Sequence, residues 1–254
     1  MTRLYPSNVA ADGSAMPKWH SLAAYEDAIA AISNLHGWYS AWSEDYRTDV
    51  GGKCSQLTDR SGNGRHLLQA TDANRPPVSA DYFGEIGGVA RDALVFDGST
   101  SLFLATSGNF YDGSSHTWSY AALVVPQRTG QRVIVGGGNE RLMQQTTTQF
   151  RFFSPVFALT VPTNTGVISR LIGIRDDPGA TNVDYYLDCN GVSSSGPVAR
   201  ANVTASPLRI GMTTAGANLW EGAIAEIIIK KGVWSADEMT LLRAYLRFLY
   251  DPRP

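Results

Sequence analysis

Basic residues and metal-binding side chains are scarce in this sequence. It contains 21 Lys and Arg against 23 Asp and Glu, and its longest basic run is Lys230-Lys231. Proteins that bind a phosphate backbone cluster their basic residues, so nucleic acid is not an expected partner. The 4 His are widely spaced along the chain. That spacing excludes the ligand cluster that a zinc site requires.

Long apolar runs are also absent. No stretch approaches the roughly 18 apolar residues that a membrane-spanning helix needs. The first residues, Met-Thr-Arg-Leu-Tyr-Pro, lack the apolar centre of a secretion signal. We therefore expect that the chain does not insert into a membrane and that it is made in a cytoplasm.

Cysteine is limited to Cys54 and Cys189. A chain of 254 residues is large enough to fold without a covalent crosslink. Two buried free thiols are the favoured interpretation, and a disulfide between the two is the alternative.

Apolar and aromatic residues are plentiful. Hydrophobic residues make up 43% of the chain and charged residues 17%, and there are 11 Tyr, 9 Phe and 6 Trp. This composition indicates a folded chain with a large core. A β-sandwich of this length is ordinarily one domain, so one main domain is expected.

Turn motifs divide the central part of the chain into short segments. Asp59 to Gly64 reads Asp-Arg-Ser-Gly-Asn-Gly, Asn74 to Pro77 reads Asn-Arg-Pro-Pro, and Leu94 to Gly98 reads Leu-Val-Phe-Asp-Gly. Between 93 and 233, runs of branched and aromatic residues alternate with turn clusters, which is typical of an antiparallel sandwich. Asn190-Gly191 predicts a tight hairpin, because both residues accept the positive φ of a type I′ turn.

Both ends of the chain differ from this pattern. Met1 to Lys18 has no periodicity and predicts an extended arm. Apolar residues then recur at helical spacing from Ser21 to a stop at Gly37, which predicts a short amphipathic helix. This helix either packs against the sandwich or docks the protein onto an assembly. Ser235 and Glu238 form a capping box that predicts a closing C-terminal helix.

A strand rich in tryptophan is predicted at His36 to Trp42. Alternation places Trp38, Ser40 and Trp42 on one face and Tyr39 and Ala41 on the other. We expect Trp38, Phe96 and Ile227 to meet in one common core.

The Trp-rich strand, the Asp59–Gly64 turn, the Phe96-Asp97-Gly98 strand end and the final strand-to-helix segment, in that order, resemble the concanavalin A-like (laminin-G-like) domains. The resemblance covers roughly residues 35 to 250. It implies an all-β fold, an antiparallel two-sheet jelly-roll sandwich, here with an N-terminal arm and helix and a C-terminal helix. The implied division is 1–36 for the anchoring arm and helix and 37–254 for the sandwich.

Carboxylate pairs suited to glycan hydrolysis are not evident in the sequence. A retaining glycosidase needs two carboxyl groups about 5 Å apart. Glu221 and Glu226 are separated by an odd number of positions, which in an unbroken strand places them on opposite faces. Asp184 and Asp188 share a face but lie about 13 Å apart along a strand. The sequence therefore predicts no catalytic residues and no enzyme.

Calcium is the one cofactor for which the turns contain candidate ligands, since some relatives in the resembled family hold calcium in their loops. Candidate oxygen ligands are Asp59, Asn63, Asp97 and Asp112. These residue types also favour turns for conformational reasons, and no dense calcium-loop pattern is present. We expect no metal and no cofactor, with calcium as the alternative.

A carbohydrate-binding face is the main candidate site. Exposed aromatic and planar polar side chains would form it. The predicted strand from Gln149 to Phe153 places Gln149, Arg151 and Phe153 on one face. Neighbouring strands would extend this face if they are adjacent in space. The candidate set is Gln149, Arg151, Phe153, Arg141, Asp184 and Tyr186. The alternative is an ordinary solvated outer face of the sheet.

These observations favour a non-enzymatic, lectin-like adhesion module. The resemblance suggests a bacteriophage virion protein, as a head decoration, fibre or tail component, made in the host cytoplasm and attached through its N-terminal arm. Its expected partners are other virion proteins or its own copies, with a cell-surface glycan as a further partner. The alternative function is a free carbohydrate-binding protein or a glycan hydrolase of the same superfamily.

Overall fold

The computed structural model describes residues 21–84, 91–99, 103–105, 110, 117–128, 130–137, 140–146, 148–154, 157–179, 181–200, 205–212 and 218–250. These residues form two antiparallel sheets and two α-helices, α1 (Leu22–Ala30) and α2 (Ala236–Tyr250). The expectation of an all-β protein with a helix near each end is confirmed at this level. The predicted arm, Met1 to Lys18, lies outside the described residues.

The strands are, in chain order, β1 (Leu35–Ser40), β2 (Arg47–Val50), β3 (Lys53–Leu57), β4 (Leu67–Leu68), β5 (Val78–Ser79), β6 (Ala93–Asp97), β7 (Phe103–Ala105), β8 (Trp118–Pro126), β9 (Arg132–Gly137), β10 (Glu140–Thr146), β11 (Gln149–Ser154), β12 (Phe157–Pro162), β13 (Ser169–Asp176), β14 (Asn182–Cys189), β15 (Val192–Ala199), β16 (Arg209–Ile210) and β17 (Glu221–Lys231). Sheet A has the order β15-β14-β13-β8-β17-β6-β5, with β1 also paired to β17. Sheet B has the order β12-β11-β10-β9-β16-β7-β4-β3-β2.

The first core lies between the two sheets. Sheet A contributes residues such as Phe96 and Ile227, and sheet B contributes residues such as Ile134 and Phe150, all of them buried in one cluster. Because side chains alternate along each strand, each sheet turns one apolar face inward and the other face away. The two sheets are therefore stacked as a sandwich.

A second core lies on the outer face of sheet A, where both helices cover it. Tyr25 and Ile29 of α1 are buried there with Tyr245 and Phe248 of α2. The Tyr25 ring lies 5.4 Å from the Phe248 ring, between centroids. The first helix therefore packs against its own domain, as one of its two interpretations predicted. The boundary between 36 and 37 stays a prediction.

The capping box predicted for α2 is present. The Glu238 amide donates to Ser235 Oγ (3.1 Å), and the Ser235 amide donates to Glu238 Oε2 (2.7 Å). The reciprocal bonds satisfy two amides that the first helical turn leaves without intrahelical partners. They fix the point where the chain leaves β17 and returns across sheet A.

Strand β1 confirms the predicted alternation but not the predicted single core. Tyr39 and Ala41 face the first core, whereas Trp38 and Trp42 face the second. The expectation that Trp38 meets Phe96 and Ile227 is therefore wrong. Because helices cover the outer face of sheet A, both faces of this strand are buried, and alternation no longer separates inside from outside.

Two chain reversals show how local conformation sets the strand ends. Asn190 and Gly191 have φ of 54° and 90°, and they join β14 to β15 as the predicted hairpin. The predicted helix stop at Gly37 is wrong, since α1 ends at Ala30 and Asn34 takes a φ of 57° before β1 begins. Strand β15 lies at the edge of sheet A and is rich in Ser, with Gly196 and Pro197, so it lacks the run of branched and aromatic residues that predicts a strand.

The two cysteines are buried and free, as the favoured interpretation predicted. Burial raises the pKa of the Cys54 thiol to about 12 and that of the Cys189 thiol to about 12. Both thiols are therefore protonated at neutral pH and unreactive. Among the described residues, neither helix has the length and hydropathy that a membrane span requires.

Candidate functional site

The structure divides the predicted carbohydrate-binding set between the two sheets. Arg141 is on β10 and lies opposite Phe153 of β11, the strand that also carries Gln149 and Arg151. Asp184 and Tyr186 are on β14 of sheet A. The condition that these strands be adjacent is not met.

The described side chains Arg151 and Tyr186 lie on opposite outer surfaces of the sandwich. Arg151 sits between two first-core residues of its strand, and Tyr186 sits next to the first-core residue Tyr185. Both side chains therefore leave their sheets on the side away from the first core. Binding of a sugar by these residues stays a prediction, and the six residues are divided between the two sheets.

The sheet A group belongs to a longer polar surface on β14. Asp184, Tyr186 and Asp188 alternate with core residues and share the outer face of the sheet, and we call these three residues the β14 strip. The Asp184 side chain is exposed, and the Tyr186 side chain is half-buried. From Asp184 to Asp188 the strand advances about 13 Å.

A second carboxylate joins the strip at its Asp184 end. Asp176 of β13 lies directly opposite Asp184 in the register of the two strands. Residues paired in this way have Cβ atoms about 4.5–5.5 Å apart on one face. The Thr117 hydroxyl donates to Asp176 Oδ1 (3.1 Å), which restrains Asp176, while Asp184 stays exposed.

A buried ionic group stiffens the hairpin next to this pair. Arg175 donates to Asp177 Oδ2 (3.0 Å), and Arg200 donates to the same oxygen (3.1 Å). Burial by itself would raise the pKa of Asp177, but the Gly179 amide and the two arginines hold that pKa below its usual value. The charged cluster therefore fixes the end of β13, where Asp176 lies.

At its other end the strip opens into a groove beside α2. Arg243 Nη2 donates to Tyr186 Oη (2.8 Å) and to Asp188 Oδ2 (3.2 Å). Burial and the Asp188 carboxylate raise the pKa of Tyr186, so its hydroxyl keeps its proton. This groove, the α2 groove, has a volume of about 170 Å³ and is lined by Arg170, Ile172, Asp188, Asn190, Gly191, Arg243 and Leu246.

The outer face of sheet A also carries a carboxyl group that is fully enclosed. Glu226 is 0% exposed, and it accepts hydrogen bonds at Oε1 from Trp38 Nε1 and from Ser40 Oγ (3.0 Å). A β-bulge between Ile224 and Glu226 shifts the register of β17 against β8. Simple alternation along β17 therefore fails at this point, and Glu226 faces the helices.

Burial controls the charge of Glu226. Its Oε2 has no hydrogen-bond partner among the described residues. Desolvation raises the pKa of Glu226 to about 8, against smaller opposing effects of Arg60, Trp38 and Ser40. At neutral pH the carboxyl group is mostly protonated and neutral.

Arg60 connects this carboxyl group to α1. Its guanidinium pairs with Glu26 (2.7 Å) and donates to Ser40 Oγ (2.8 Å). It also lies over the ring of Trp38, 3.8 Å from the ring centroid. Arg60 forms its ion pair with Glu26, and among the described residues no cation forms an ion pair with Glu226.

Neither glutamate of β17 is placed for catalysis. Glu226 is enclosed between the sheet and the helices, so a substrate cannot reach it. Glu221 is the first residue of β17, and Arg128 contacts it (3.3 Å). That these two residues form no catalytic dyad stays a prediction.

The turn residues considered for calcium use their oxygens and amides within the chain. Asp59 Oδ1 accepts from the Trp38 amide and Oδ2 accepts from the Arg65 amide, while Asp97 binds Ser99. Asn63 donates to the Leu35 carbonyl (2.8 Å), and Asp112 lies outside the described residues. Within the described part of the chain, no group of three His, Cys, Asp or Glu side chains could hold a metal ion.

Five polar residues of the site are absent from the candidate set predicted from the sequence, namely Asp176, Asp188, Arg170, Asn190 and Arg243. Asp176 could have been found from the sequence, since the hairpin that joins β13 to β14 pairs Asp176 with Asp184. The Asp-Pro-Gly turn at 177–179 indicated this hairpin but not its register. Nothing in the sequence indicated that α2 would bring Arg243 to β14.

Comparisons with known proteins give no relative by sequence and several by structure. No protein-family model matches the chain, and no curated protein matches it. An arabinofuranosidase in complex with arabinofuranosyl-α-1,2-xylobiose is similar with a TM-score of 0.61 and 12% identity, over 85% of this chain and 63% of that one. The chain therefore spans less than two thirds of that enzyme.

Two further structures are similar at lower scores. Domain 4 of AbnA, a GH43 extracellular arabinanase from Geobacillus stearothermophilus, in complex with arabinotriose, has a TM-score of 0.52 and 19% identity, over 83% of this chain and 98% of that one. A Trypanosoma rangeli sialidase in complex with sialic acid has a TM-score of 0.53 and 14% identity, over 96% of this chain and 36% of that one. At these identities the similarity shows the fold.

These findings correct the expected function. The interpretation as a non-enzymatic virion protein is contradicted, because the similar structures come from carbohydrate-active enzymes. The comparisons also give no support to a bacteriophage origin. The location of the chain and its partners stay predictions.

Proposed function

We propose that this chain is a carbohydrate-active protein that binds a glycan along the β14 strip and hydrolyses it with Asp176 and Asp184. The observation that carries the proposal is the placement of these two carboxylates directly opposite each other on an open face of sheet A. The fold that the chain shares with arabinofuranosidase, arabinanase and sialidase structures supports it.

We assign the pair to a retaining mechanism, because side chains that are cross-strand partners leave the sheet close together on one face. Such enzymes hold their two carboxyl groups about 5–5.5 Å apart, one as nucleophile and one as acid and base. Asp176 is restrained by Thr117 and is the better-oriented group, so we assign it as the nucleophile. Asp184 is exposed, and we assign it to protonate the leaving oxygen and then activate water.

The rest of the strip would hold the glycan. Tyr186 presents a half-buried ring on the same face, two positions from Asp184. Arg243 and Asp188 fix the tyrosine hydroxyl from the other side. An aromatic surface flanked by planar polar groups binds the apolar face and the hydroxyls of a sugar ring together.

The proposal is tested by measuring release of reducing ends from a panel of arabinans, arabinoxylans and sialylated glycans. The wild-type chain should release sugar ends from at least one of these glycans. Asp176→Asn and Asp184→Asn should each lower the rate by about a hundredfold or more, since each removes a group that reacts or transfers a proton. The asparagine side chain keeps the size of each residue.

Glu221→Gln serves as the matched control, since this carboxylate lies at the far end of β17. It should keep the wild-type rate, and the melting temperatures of all three variants should stay close to that of the wild type. Full activity in Asp176→Asn and Asp184→Asn would contradict the assignment. Absence of cleavage across the whole panel would contradict the hydrolytic function.

We also propose the finer fold assignment, a concanavalin A-like jelly roll. It is supported by two stacked antiparallel sheets and by the pairing of the last strand, β17, with both β8 and β6. A solved structure of the chain in which the strands follow a different connection pattern would replace it.

A further inference from the structure

Among the described residues that line the α2 groove, Asp188 alone has a carboxylate, and both of its oxygens accept hydrogen bonds from the protein. Its Oδ1 accepts the Gly191 amide (3.2 Å). Its Oδ2 accepts the Tyr186 hydroxyl (3.2 Å) and Arg243 Nη2 (3.2 Å). The Asn190 side-chain oxygen is used as well, since it accepts two bonds from Arg170. The side chains of the groove therefore offer a ligand few free acceptors.

Hydrogen-bond donors, in contrast, remain available. No hydrogen bond among the described residues uses Nε or Nη1 of Arg243, whose side chain is 42% exposed. Arg170 spends its Nε on Asn190, and no described residue accepts from its two Nη groups. Its guanidinium lies 5.5 Å from the ring centroid of Tyr250. Two arginines thus converge on the groove with unused donors.

Charge and shape restrict the ligand further. Two arginines and one aspartate give the groove a surplus of one positive charge. Ile172 and Leu246 supply an apolar wall, which suits the carbon face of a ring. A volume of about 170 Å³ is small for a ligand pocket and fits one ring better than a chain of rings.

We propose that the α2 groove binds a sugar that carries a carboxylate, as a uronic or ulosonic acid unit of the glycan. A neutral sugar hydroxyl both donates and accepts, and the side chains of this groove offer few acceptors for its proton. A carboxylate only accepts, and it matches the planar guanidinium groups of Arg170 and Arg243. This inference rests on the proposed function, because it names the substrate class of the glycan that the β14 strip holds.

The test is calorimetric titration of the full chain with glucuronate, galacturonate and N-acetylneuraminate, each compared with its methyl ester. At least one acid should bind, and esterification should weaken its binding about tenfold or more, since charge-assisted hydrogen bonds are lost. Arg170→Gln and Arg243→Gln should each weaken binding of the acid by a similar factor. Added salt should weaken it further.

Arg128→Gln is the matched control, because Arg128 is exposed and pairs with Glu221 away from the groove. It should leave the affinity unchanged. Equal affinity for acid and ester, no binding of any of the three acids, or full binding by Arg170→Gln would each overturn the inference. Sulfated and neutral sugars in the same titration separate carboxylate recognition from general anion or sugar binding.

Failure of this inference is distinguishable from failure of the proposed function. Cleavage of a neutral glycan without acid-selective binding would leave the function standing and remove the inference. Acid-selective binding in the groove without release of reducing ends from any glycan, acidic glycans included, would leave the inference standing and remove the proposed function.

Discussion

Glu226 and Asp184 are acidic residues on the same outer face of sheet A, but they differ in their exposure to solvent. Glu226 lies beneath α1 and α2 and is completely enclosed, whereas Asp184 lies beyond the helices and is exposed. Enclosure raises the pKa of Glu226 to about 8 and removes its charge at neutral pH. The two helices therefore divide one face of the sheet into a buried core and an exposed surface that a ligand can reach.

The largest expected effect in the enclosed region is on the pH dependence of stability. The folded chain holds a proton on Glu226 with a pKa of about 8, whereas the unfolded chain releases it near 4.5. The contribution of Glu226 to the free energy of unfolding should therefore be largest below pH 4.5 and should be lost as pH rises through about 8. This loss is on the order of a few kcal/mol. Urea unfolding across this pH range measures it.

Glu226→Gln isolates that contribution. The glutamine oxygen can still accept the bonds from Trp38 and Ser40, but the side chain cannot ionise. The variant should therefore lose most of the fall in stability between pH 4.5 and about 8. An unchanged pH profile would show that Glu226 is hydrated and charged in solution.

Arg60→Gln should have the next largest effect. The substitution removes the ion pair with Glu26 and the contact with the Trp38 ring, both of them largely enclosed. We expect a loss of about 2 kcal/mol in the free energy of unfolding, measured by urea titration at neutral pH. Arg128→Gln, at an exposed pair, should cost much less. Equal losses in the two variants would contradict the structural role of Arg60.

Ser235→Ala tests the helix that borders both regions. The variant loses the Ser235 hydroxyl that caps the Glu238 amide. We expect a loss of about 1 kcal/mol in the free energy of unfolding. Thr240→Ala is a suitable control, because its hydroxyl bonds to a carbonyl within the helix. A loss as large in that control would argue against a specific capping effect.

The smallest expected effect on stability lies in the open region. Tyr186→Phe removes a hydroxyl that bonds to Asp188 and Arg243 at a half-buried position. The melting temperature should change little, while the affinity for a glycan that binds the strip should fall about threefold to tenfold. Unchanged affinity would remove Tyr186 from the proposed site.

Most elements were predictable because their signals are local. The capping box at Ser235, the hairpin at Asn190-Gly191 and the alternation along β1 all follow from the conformational preferences of a few neighbouring residues. Of the residues predicted from the sequence, Asp184 and Tyr186 lie on the β14 strip. The others lie on β10 and β11 of sheet B, which the sequence could not show, because strand order within sheets depends on contacts between distant segments.

The remaining site residues needed the register between strands. Asp176 faces Asp184 only because β13 and β14 pair about residue 180, and Glu226 turns toward the helices only because β17 contains a bulge. A shift of one residue in either pairing would send these side chains to the other face.

The sequence by itself determined that the chain folds as antiparallel strands with a helix near each end, since composition, turn residues and caps act over a few positions. Only the tertiary structure decided which acidic residues are covered and which are open. That choice depends on where α1 and α2 pack across sheet A, and burial, not residue type, sets the charge of a carboxyl group.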